Sequence, residues 1–403
     1  MKRIINLIKF IIKAKKIWTK PNKSEVLIYD YNLSEYLQEK ILKFDSEVLH
    51  IRGEIINMFI LIKLIKNLKF KNLLLNYSIL YIEEVRPKII ITGTDNNLNF
   101  YDLQNKIKSF KFKSIVIQNG HRTLTGPDIL NYFDSFKNKN YRADFFLCFN
   151  KFIGEIYKKM FNSNFIPIGS FLNNINYRTQ GKVKTRNFYW ISQYRWRKNE
   201  KIFDEESLTN NQKINFENFN IQDYYIPENK IIPIIYEFCE KNNLSFKIIS
   251  SYKKNQPECS HEKIFYENIL KHKNWKMTPN EKNDRISVYE ILTNDAEYVA
   301  HIDSTLGYEC LSRGIKTISF LCRKSCYQNV KWIFSWPSKF PNRGPIWTDI
   351  DDYDEVYRLL NQIFKIDNKS WQNYWNSIIP KIMNNDPKNQ KFVELIDNLI
   401  SKA

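Results

Sequence analysis

Glycine is scarce in this chain, with 10 residues among 403, and none is spaced as a dinucleotide fingerprint or a phosphate-binding P-loop. Any nucleotide must therefore be held by other turns. A His-Glu-x-x-His helix and a Gly-x-Ser-x-Gly elbow are also missing, which sets aside the common zinc-hydrolase and serine-hydrolase designs. Cysteine is sparser still. Cys148, Cys239, Cys259, Cys310, Cys322 and Cys326 show no Cys-x-x-Cys pair and too low a density for a secreted disulfide scaffold, so they read as reduced thiols of a cytoplasmic protein. Cys322 and Cys326 lack the second pair or histidine cluster that would complete a zinc site. No apolar run reaches the ~20 residues of a bilayer-spanning helix, and neither an internal repeat nor a low-complexity linker occurs.

Acidic residues are the other shortage: 43 Asp and Glu face 62 Lys and Arg, a net charge of +19. Such a surplus invites nucleic acid, an anionic membrane or a phosphorylated substrate, and a composition saturated in Lys, Asn and Ile accounts for part of it without any partner. No nucleic-acid motif is present, so nucleic acid is not expected among the partners. The surplus has a local focus. Lys2, Lys9, Lys13, Lys16 and Lys20 fall on one stripe of a helix, while Ile4, Leu7, Ile8, Ile11, Ile12 and Trp18 cover the opposite side. This predicts a basic amphipathic helix over 1–22, lying peripherally on anionic headgroups at the inner face of the cytoplasmic membrane; the alternative is a helix packed on the protein's own surface.

An apolar fraction of 43% with 15% aromatics rules out disorder, and the length suits two domains, each able to bury a core. Short β-rich runs alternate with helical patterns. The runs are Val26–Tyr29, Val48–Ile51, Lys88–Gly93, Ser114–Ile117, Asp144–Cys148 and Ile166–Ser170 in the first part, then Tyr189–Ser192, Phe246–Ser250, Tyr298–Ile302 and Thr317–Leu321. The alternation predicts an α/β chain of two Rossmann-like, doubly wound parallel-sheet domains, 23–172 and 184–365, followed by C-terminal helices over 366–403. Tyr353–Phe364 and Trp371–Ile382 read as C-terminal helices, and the second of them is expected to fold back on the first domain.

One stretch is more informative than the rest: His301-Ile302-Asp303-Ser304-Thr305-Leu306-Gly307-Tyr308-Glu309, with Gly314 and a second β-rich run behind it. It reads as strand, polar turn, helix and strand. The turn falls at the carboxyl end of a sheet strand, where Ser304 and Thr305 hydroxyls and the free N–H groups of a helix start can hold phosphate, and Glu309 can reach a ribose diol. The plainer alternative makes Ser304 a helix cap and Glu309 a solvated helix residue. The stretch resembles the donor-nucleotide motif of bacterial surface-carbohydrate glycosyltransferases of the GT-B type, in which Asp or Asn, Ser-Thr, Gly, an aromatic and Glu precede a short Gly-Lys loop. The similarity continues through Glu262–Tyr266, Trp275, Tyr289, Asp295-Ala296 and Asn342–Thr348. It looks like the surface carbohydrate biosynthesis family related to capsule and O-antigen Kdo transferases, over most of the chain and most specifically from Tyr289 to Thr348. The resemblance implies a cleft between the two domains, the donor in the second and the acceptor mainly in the first. It also implies no obligatory metal and no cofactor beyond a nucleotide-sugar donor, best matched by a CMP-linked ulosonic acid such as Kdo. Where such proteins often carry Gly-Arg-Ser, this chain has Ser250-Ser251-Tyr252-Lys253-Lys254, so Lys253 or Lys254 stands in as the phosphate contact.

Donor-binding candidates are thus Ser304, Thr305, Gly307, Glu309, Ser192, Gln193, Lys253 and Arg343, the last in the Pro/Gly-fixed loop Pro341–Pro345. Asp95 ends a strand beside Asn96 and Asn97 and is the candidate base or nucleophile, with an Asx turn as the alternative. His121 and Arg122 follow Asn119-Gly120 in a turn suited to a sugar carboxylate or phosphate. Asn97, Asn119 and Arg122 are read as acceptor contacts and His121 as a further catalytic candidate. His301 and Asp303 share a strand face by period two, so Asp303 is a third catalytic candidate, as a proton relay or as a structural hydrogen-bond pair. The expectation is a glycosyltransferase that moves a sugar from its nucleotide donor to a glycan or lipid-linked acceptor. The alternatives are polyol-phosphate transfer from a CDP-alcohol and, from another class, a basic nucleic-acid-binding protein.

Overall fold

The computed structural model describes residues 14–52, 54–67, 72–121, 141–181, 185–195, 224–271, 273–280, 286–322 and 341–401. Its contacts divide the chain into two units. Unit one comprises the chain up to Asn119, Ser135–Phe171 and the segment from Asn389 onward; unit two comprises Gly120–Asp134 and Leu172–Lys388.

In unit one the strands are β1 (Lys15–Ile17), β2 (Val26–Tyr29), β3 (Ser46–Leu49), β4 (Ile55–Asn57), β5 (Ile89–Thr92), β6 (Lys113–Ile117), β7 (Arg142–Cys148) and β8 (Asn162–Pro167). Six of them form a sheet in the order β3-β2-β5-β6-β7-β8, every pair parallel. Its central strands β2 and β5 are buried throughout, as expected of Val, Ile and Leu runs covered on both faces. The helix Leu73–Val85 leads into β5 and stops at Arg86, whose φ of 53° is left-handed, because Pro87 forbids a continued helix. The helix Gln390–Ser401 belongs to this unit: Phe392 packs edge-on against Phe171 at 5.3 Å, and Asp397 pairs with Lys43 at 2.6 Å. The return expected of Trp371–Ile382 needs correcting: that helix, Asn368–Ile382, stays with unit two, where Trp371 Nε1 donates to Gly314 O at 2.7 Å and Trp375 Nε1 to Leu311 O at 2.6 Å, and it is the later helix Gln390–Ser401 that belongs to unit one.

Unit two holds β9 (Asn187–Ile191), β10 (Ser245–Lys253), β11 (Lys276–Asn280), β12 (Tyr298–His301), β13 (Lys316–Phe320) and β14 (Trp347–Thr348), in the order β11-β10-β9-β12-β13-β14 and again all parallel. Side-chain alternation gives the sheet its two cores. Phe188 and Trp190 pack with Ile231, Ile235, Ile318 and Leu359 on one face, and Tyr189 and Ile191 with Leu292, Val299 and Cys310 on the other.

The expected N-terminal helix needs correcting where it can be seen. Residues 1–13 lie outside the described residues, but Lys15–Ile17 is a strand paired in parallel with Ile55–Asn57. Backbone pairing with a distant segment outweighs the amphipathic stripe there. The apolar stretch from Ile55 to Leu68, whose spacing reads as one amphipathic helix, likewise begins as β4 and becomes helical only over Met58–Lys66, capped by the Asn57 side chain on Ile60 N at 3.1 Å. Strand β8 runs earlier than the expected Ile166–Ser170.

Candidate functional site

In an open parallel sheet, ligands sit beyond the carboxyl ends of the strands where the strand order reverses. In unit two that point lies between β9 and β12, whose register sets Ile191 against His301. The loops leaving these two strands begin with Ser192-Gln193 and Ile302-Asp303-Ser304, so two of the donor-binding segments anticipated from sequence are brought side by side.

The helix Thr305–Ser312 starts at this point. Ser304 is its N-cap residue by backbone geometry, yet its hydroxyl caps none of the helix N–H groups, which leaves Thr305 N and Leu306 N without an intrahelical acceptor. Thr305 Oγ1 accepts the backbone N–H of His121 at 3.1 Å and lies 3.4 Å from His121 Nδ1; the His121 ring is 5.2 Å from that of Tyr308. His121 and Thr305, 184 positions apart in sequence, thus meet in one unit. Asp303 has φ 47°, a left-handed conformation that Asp tolerates better than most residues.

His301 and Asp303 do not form the pair that strand periodicity suggested, because the strand ends at His301. The imidazole is fully buried; its Nδ1 accepts the Ser304 N–H at 3.1 Å and its Nε2 faces Ser319 Oγ at 2.8 Å. With Nδ1 accepting, the neutral ring carries its proton on Nε2 and donates it to the serine. Burial, and then the neighbouring His121, push its pKa down to about 3. The ring also explains Gly307, where a Cβ would lie 2.1 Å from His301 Cδ2. Glycine here makes room for a buried imidazole, which is not the donor contact expected of it.

Three more donor-binding expectations change. Glu309 is 4% exposed, and its Oε2 accepts the Tyr289 hydroxyl at 2.9 Å, so it braces two helices and does not present itself to a ribose. Arg343 is held by both oxygens of Glu355, which also binds Arg358 and whose pKa falls to about 2 under the hydrogen bonds of Arg358 and Arg343. Ser192 is 3% exposed and receives the Tyr266 hydroxyl at 2.7 Å, while its carbonyl accepts Ser251 Oγ at 2.8 Å. Gln193, by contrast, is half-buried with no polar partner among the described residues. Lys253 lies past the register shift in β10, its N–H bound by Gln256.

In unit one Asp95 is fully buried. One carboxylate oxygen accepts Asn119 N at 3.2 Å, the other accepts the Tyr157 hydroxyl at 3.3 Å, and its carbonyl accepts the Tyr101 hydroxyl at 2.7 Å. It ties the loop after β5 to the loop after β6, and is neither an open base nor a simple Asx turn. Asn97 caps the helix Leu98–Lys106 through Asn99 N, and Asn119 is exposed. Arg122 lies outside the described residues.

Two further buried residues were not among the site candidates: Glu262, next to the Ser250-Ser251 end of β10, and Arg313, at the far end of the helix Thr305–Ser312. Glu262 is fully buried, accepting Ser251 N at 2.9 Å and the Ser250 hydroxyl, and burial raises its pKa. Arg313 is 1% exposed, with its guanidinium on Asn173, Asn176 and Thr293 and 5.0 Å from the Tyr289 ring. The Ser-Ser turn of β10 was a signal for the first; nothing local marked the second.

The fold is shared with known structures. The wall teichoic acid polymerase TagF matches with a TM-score of 0.50 at 13% identity, over 95% of this chain and 91% of that one. A structure described as "putative UDP-N-acetylglucosamine 2-epimerase" from Listeria monocytogenes matches with 0.54 at 10%, over 94% and 97%. At such identities the likeness is one of fold, and it agrees with the GT-B-like class anticipated from sequence. No curated protein matches the chain by sequence. A family model described as "putative O-antigen biosynthesis protein" matches residues 115–400, which span unit two and part of unit one, and the chain belongs to that family.

Proposed function

We propose that the protein is a glycosyltransferase of surface-polysaccharide assembly that takes its sugar from a nucleotide donor bound by unit two. The observation that carries this is the reversal point between β9 and β12, where an uncapped helix N-terminus, the Thr305 hydroxyl and Gln193 stand together without a glycine-rich loop. The backbone N–H groups of Thr305 and Leu306 offer fixed dipoles to a leaving phosphate, a contribution that needs no reorganisation as charge develops. Membership of the O-antigen biosynthesis family and the fold shared with TagF support the reading. Within it, the donor is a CMP-linked ulosonic acid such as Kdo and the acceptor is a glycan or lipid-linked chain. The base is not assigned to Asp95, whose oxygens are both occupied; His121, beside Thr305, is the preferred candidate, and Asp303, within the donor turn, is the other that remains.

A peripheral place on an anionic membrane is part of the same proposal. Phe59, Ile62 and Ile65 are exposed on the helix Met58–Lys66, as are Ile17 and Trp18 next to it, and Lys15, Lys16 and Lys66 accompany them. Among the described residues no helix is long and apolar enough to cross a membrane. Insertion of apolar side chains with lysines on headgroups fits this face.

The test is calorimetry with CMP, CDP, UDP and GDP compounds, followed by product analysis with the donor that binds. A new glycosidic bond with release of CMP is expected. A phosphodiester product would replace the reading with polyol-phosphate transfer, and acceptor-independent conversion of a nucleotide sugar into its epimer would replace it with the activity named for the Listeria structure.

A further inference from the structure

Unit one has its own reversal point, between β2 and β5, and a cavity of about 350 Å³ opens there. Its walls include Asp30, Arg52, Thr94, Asn96 and Asn97. Asp30 is fully buried, with a backbone φ of 94°, and Leu33 in the same loop has 65°. Two non-glycine residues in unfavourable backbone regions within one loop persist only where the surroundings fix them. They do so here: Asn32 Nδ2 donates to Gly93 O at 3.0 Å, and a Cβ on Gly93 would lie 2.9 Å from Asn32 O. The two loops are stapled together, and the cavity is preformed.

Arg52 enters this cavity in a fixed posture. Its Nε donates to Asp30 Oδ2 at 3.0 Å, and its Nη2 donates to the same oxygen at 2.5 Å and to Thr94 Oγ1 at 3.3 Å; Thr94 in turn donates to Asp30 Oδ2 at 3.0 Å. Its Nη1 has no acceptor among the described residues, and the side chain is 54% exposed. Asn97 spends its oxygen on the Asn99 N–H, which leaves its amide nitrogen over, and the Asn96 amide has no partner among the described residues. Planar amide and guanidinium groups therefore face a cavity whose one strong cation, among the described lining residues, is already neutralised by Asp30. Net charge decides the ligand: an isolated phosphate gains little from a guanidinium paired this closely with a carboxylate, whereas vicinal hydroxyls, each donor and acceptor, match groups of this kind.

We infer that this cavity binds a neutral pyranose ring, with Arg52 and Asn97 as the residues that read its hydroxyls and Asp30 as the residue that positions Arg52. The geometry of unit one carries this by itself. That the ring belongs to the acceptor of a transfer reaction is the only step that rests on the proposed function.

The experiment is saturation-transfer NMR and calorimetry on the whole chain with methyl pyranosides of gluco, galacto, manno and 6-deoxy-manno configuration, and with inorganic phosphate as competitor. At least one pyranoside binds with a dissociation constant on the order of millimolar. Arg52→Lys keeps a cation beside Asp30 but loses Nη1, and Asn97→Asp keeps the helix cap but loses the amide donor. Each weakens that pyranoside about tenfold, the scale of one lost hydrogen bond to a charged or fixed partner, with an unchanged melting temperature. CMP titrated into the same samples reports unit two separately, so a chain that binds pyranoside but no nucleotide upholds this inference and sinks the donor assignment. Absence of any pyranoside binding by the folded chain, equal binding by both variants, or displacement of the sugar by phosphate would overturn it.

Discussion

The two units put opposite chemistries at the same kind of place, the point where a parallel sheet reverses its strand order. In unit two the loops are backed by a buried neutral imidazole and by buried serine, tyrosine and glutamate side chains, and what faces outward is a helix N-terminus with hydroxyls. In unit one the loops are backed by a buried carboxylate, and what faces outward is a guanidinium edge with amides. The difference lies in where the charge is kept. Unit two neutralises its interior and leaves backbone dipoles for an anion; unit one buries an ion pair's negative half and offers a fixed hydrogen-bonding surface with little net charge.

Acid should break the comparison most forcefully. The folded pKa of His301 lies far below its ordinary value, so its contribution to stability is complete above about pH 6.5 and is lost as the pH falls towards 3, where the unfolded state takes up the proton and the folded state does not. At ~1.4 kcal/mol per unit the effect reaches several kcal/mol. Hydrogen exchange in β12 and β13 should accelerate before that in β2 and β5; simultaneous loss of protection would mean that His301 is not the weak point.

Glycine substitutions sharpen the contrast at a smaller scale. Gly307→Ala sets a methyl group into the His301 ring and should cost about 3 kcal/mol in denaturant unfolding, whereas Gly93→Ala, meeting Asn32 O at 2.9 Å, should cost about half of that. The reverse order would show that the unit-one loops are the tighter pair. Asp95→Ala, which strands the Asn119 N–H and the Tyr157 hydroxyl, should cost about 2 kcal/mol, and Asp95→Asn less because one acceptor remains. A turnover loss of ~100-fold in a fully stable Asp95→Asn protein would restore the catalytic role that the burial argues against. The smallest effect belongs to Thr305→Val: about tenfold weaker nucleotide binding, with only a small fall in melting temperature because the half-buried His121 N–H that loses its acceptor can turn to water, and undiminished affinity in calorimetry would remove the hydroxyl from the donor site.

Much of the architecture was legible because its signals are local. The strand runs, the turn at Asp303-Ser304-Thr305 and the helix behind it follow from period, β-branching and small polar residues within a few positions of one another. The misread residues owe their state to partners far along the chain. Glu309 looks like a solvated or ribose-facing carboxylate until Tyr289 is placed over it. Arg343 looks preset for a ligand until Glu355 takes its fork. Lys15–Ile17 carries a helical stripe but has Ile55–Asn57 to pair with. Asp95 was recognised as the end of a strand, and only the fold shows that Tyr157 and Asn119 close over it.

The return of the helix Gln390–Ser401 to unit one has a consequence during synthesis. Asn389 Nδ2 donates to Phe171 O across 218 positions of sequence, and all of unit two except Gly120–Asp134 is translated between those residues. A ribosome therefore delivers a complete unit two while the Phe171 surface of the older unit still lacks Phe392. The earlier-made half of the molecule is the later to be finished, and a nascent chain arrested before Asn389 would expose that apolar surface to chaperones although its six-stranded sheet had long since emerged.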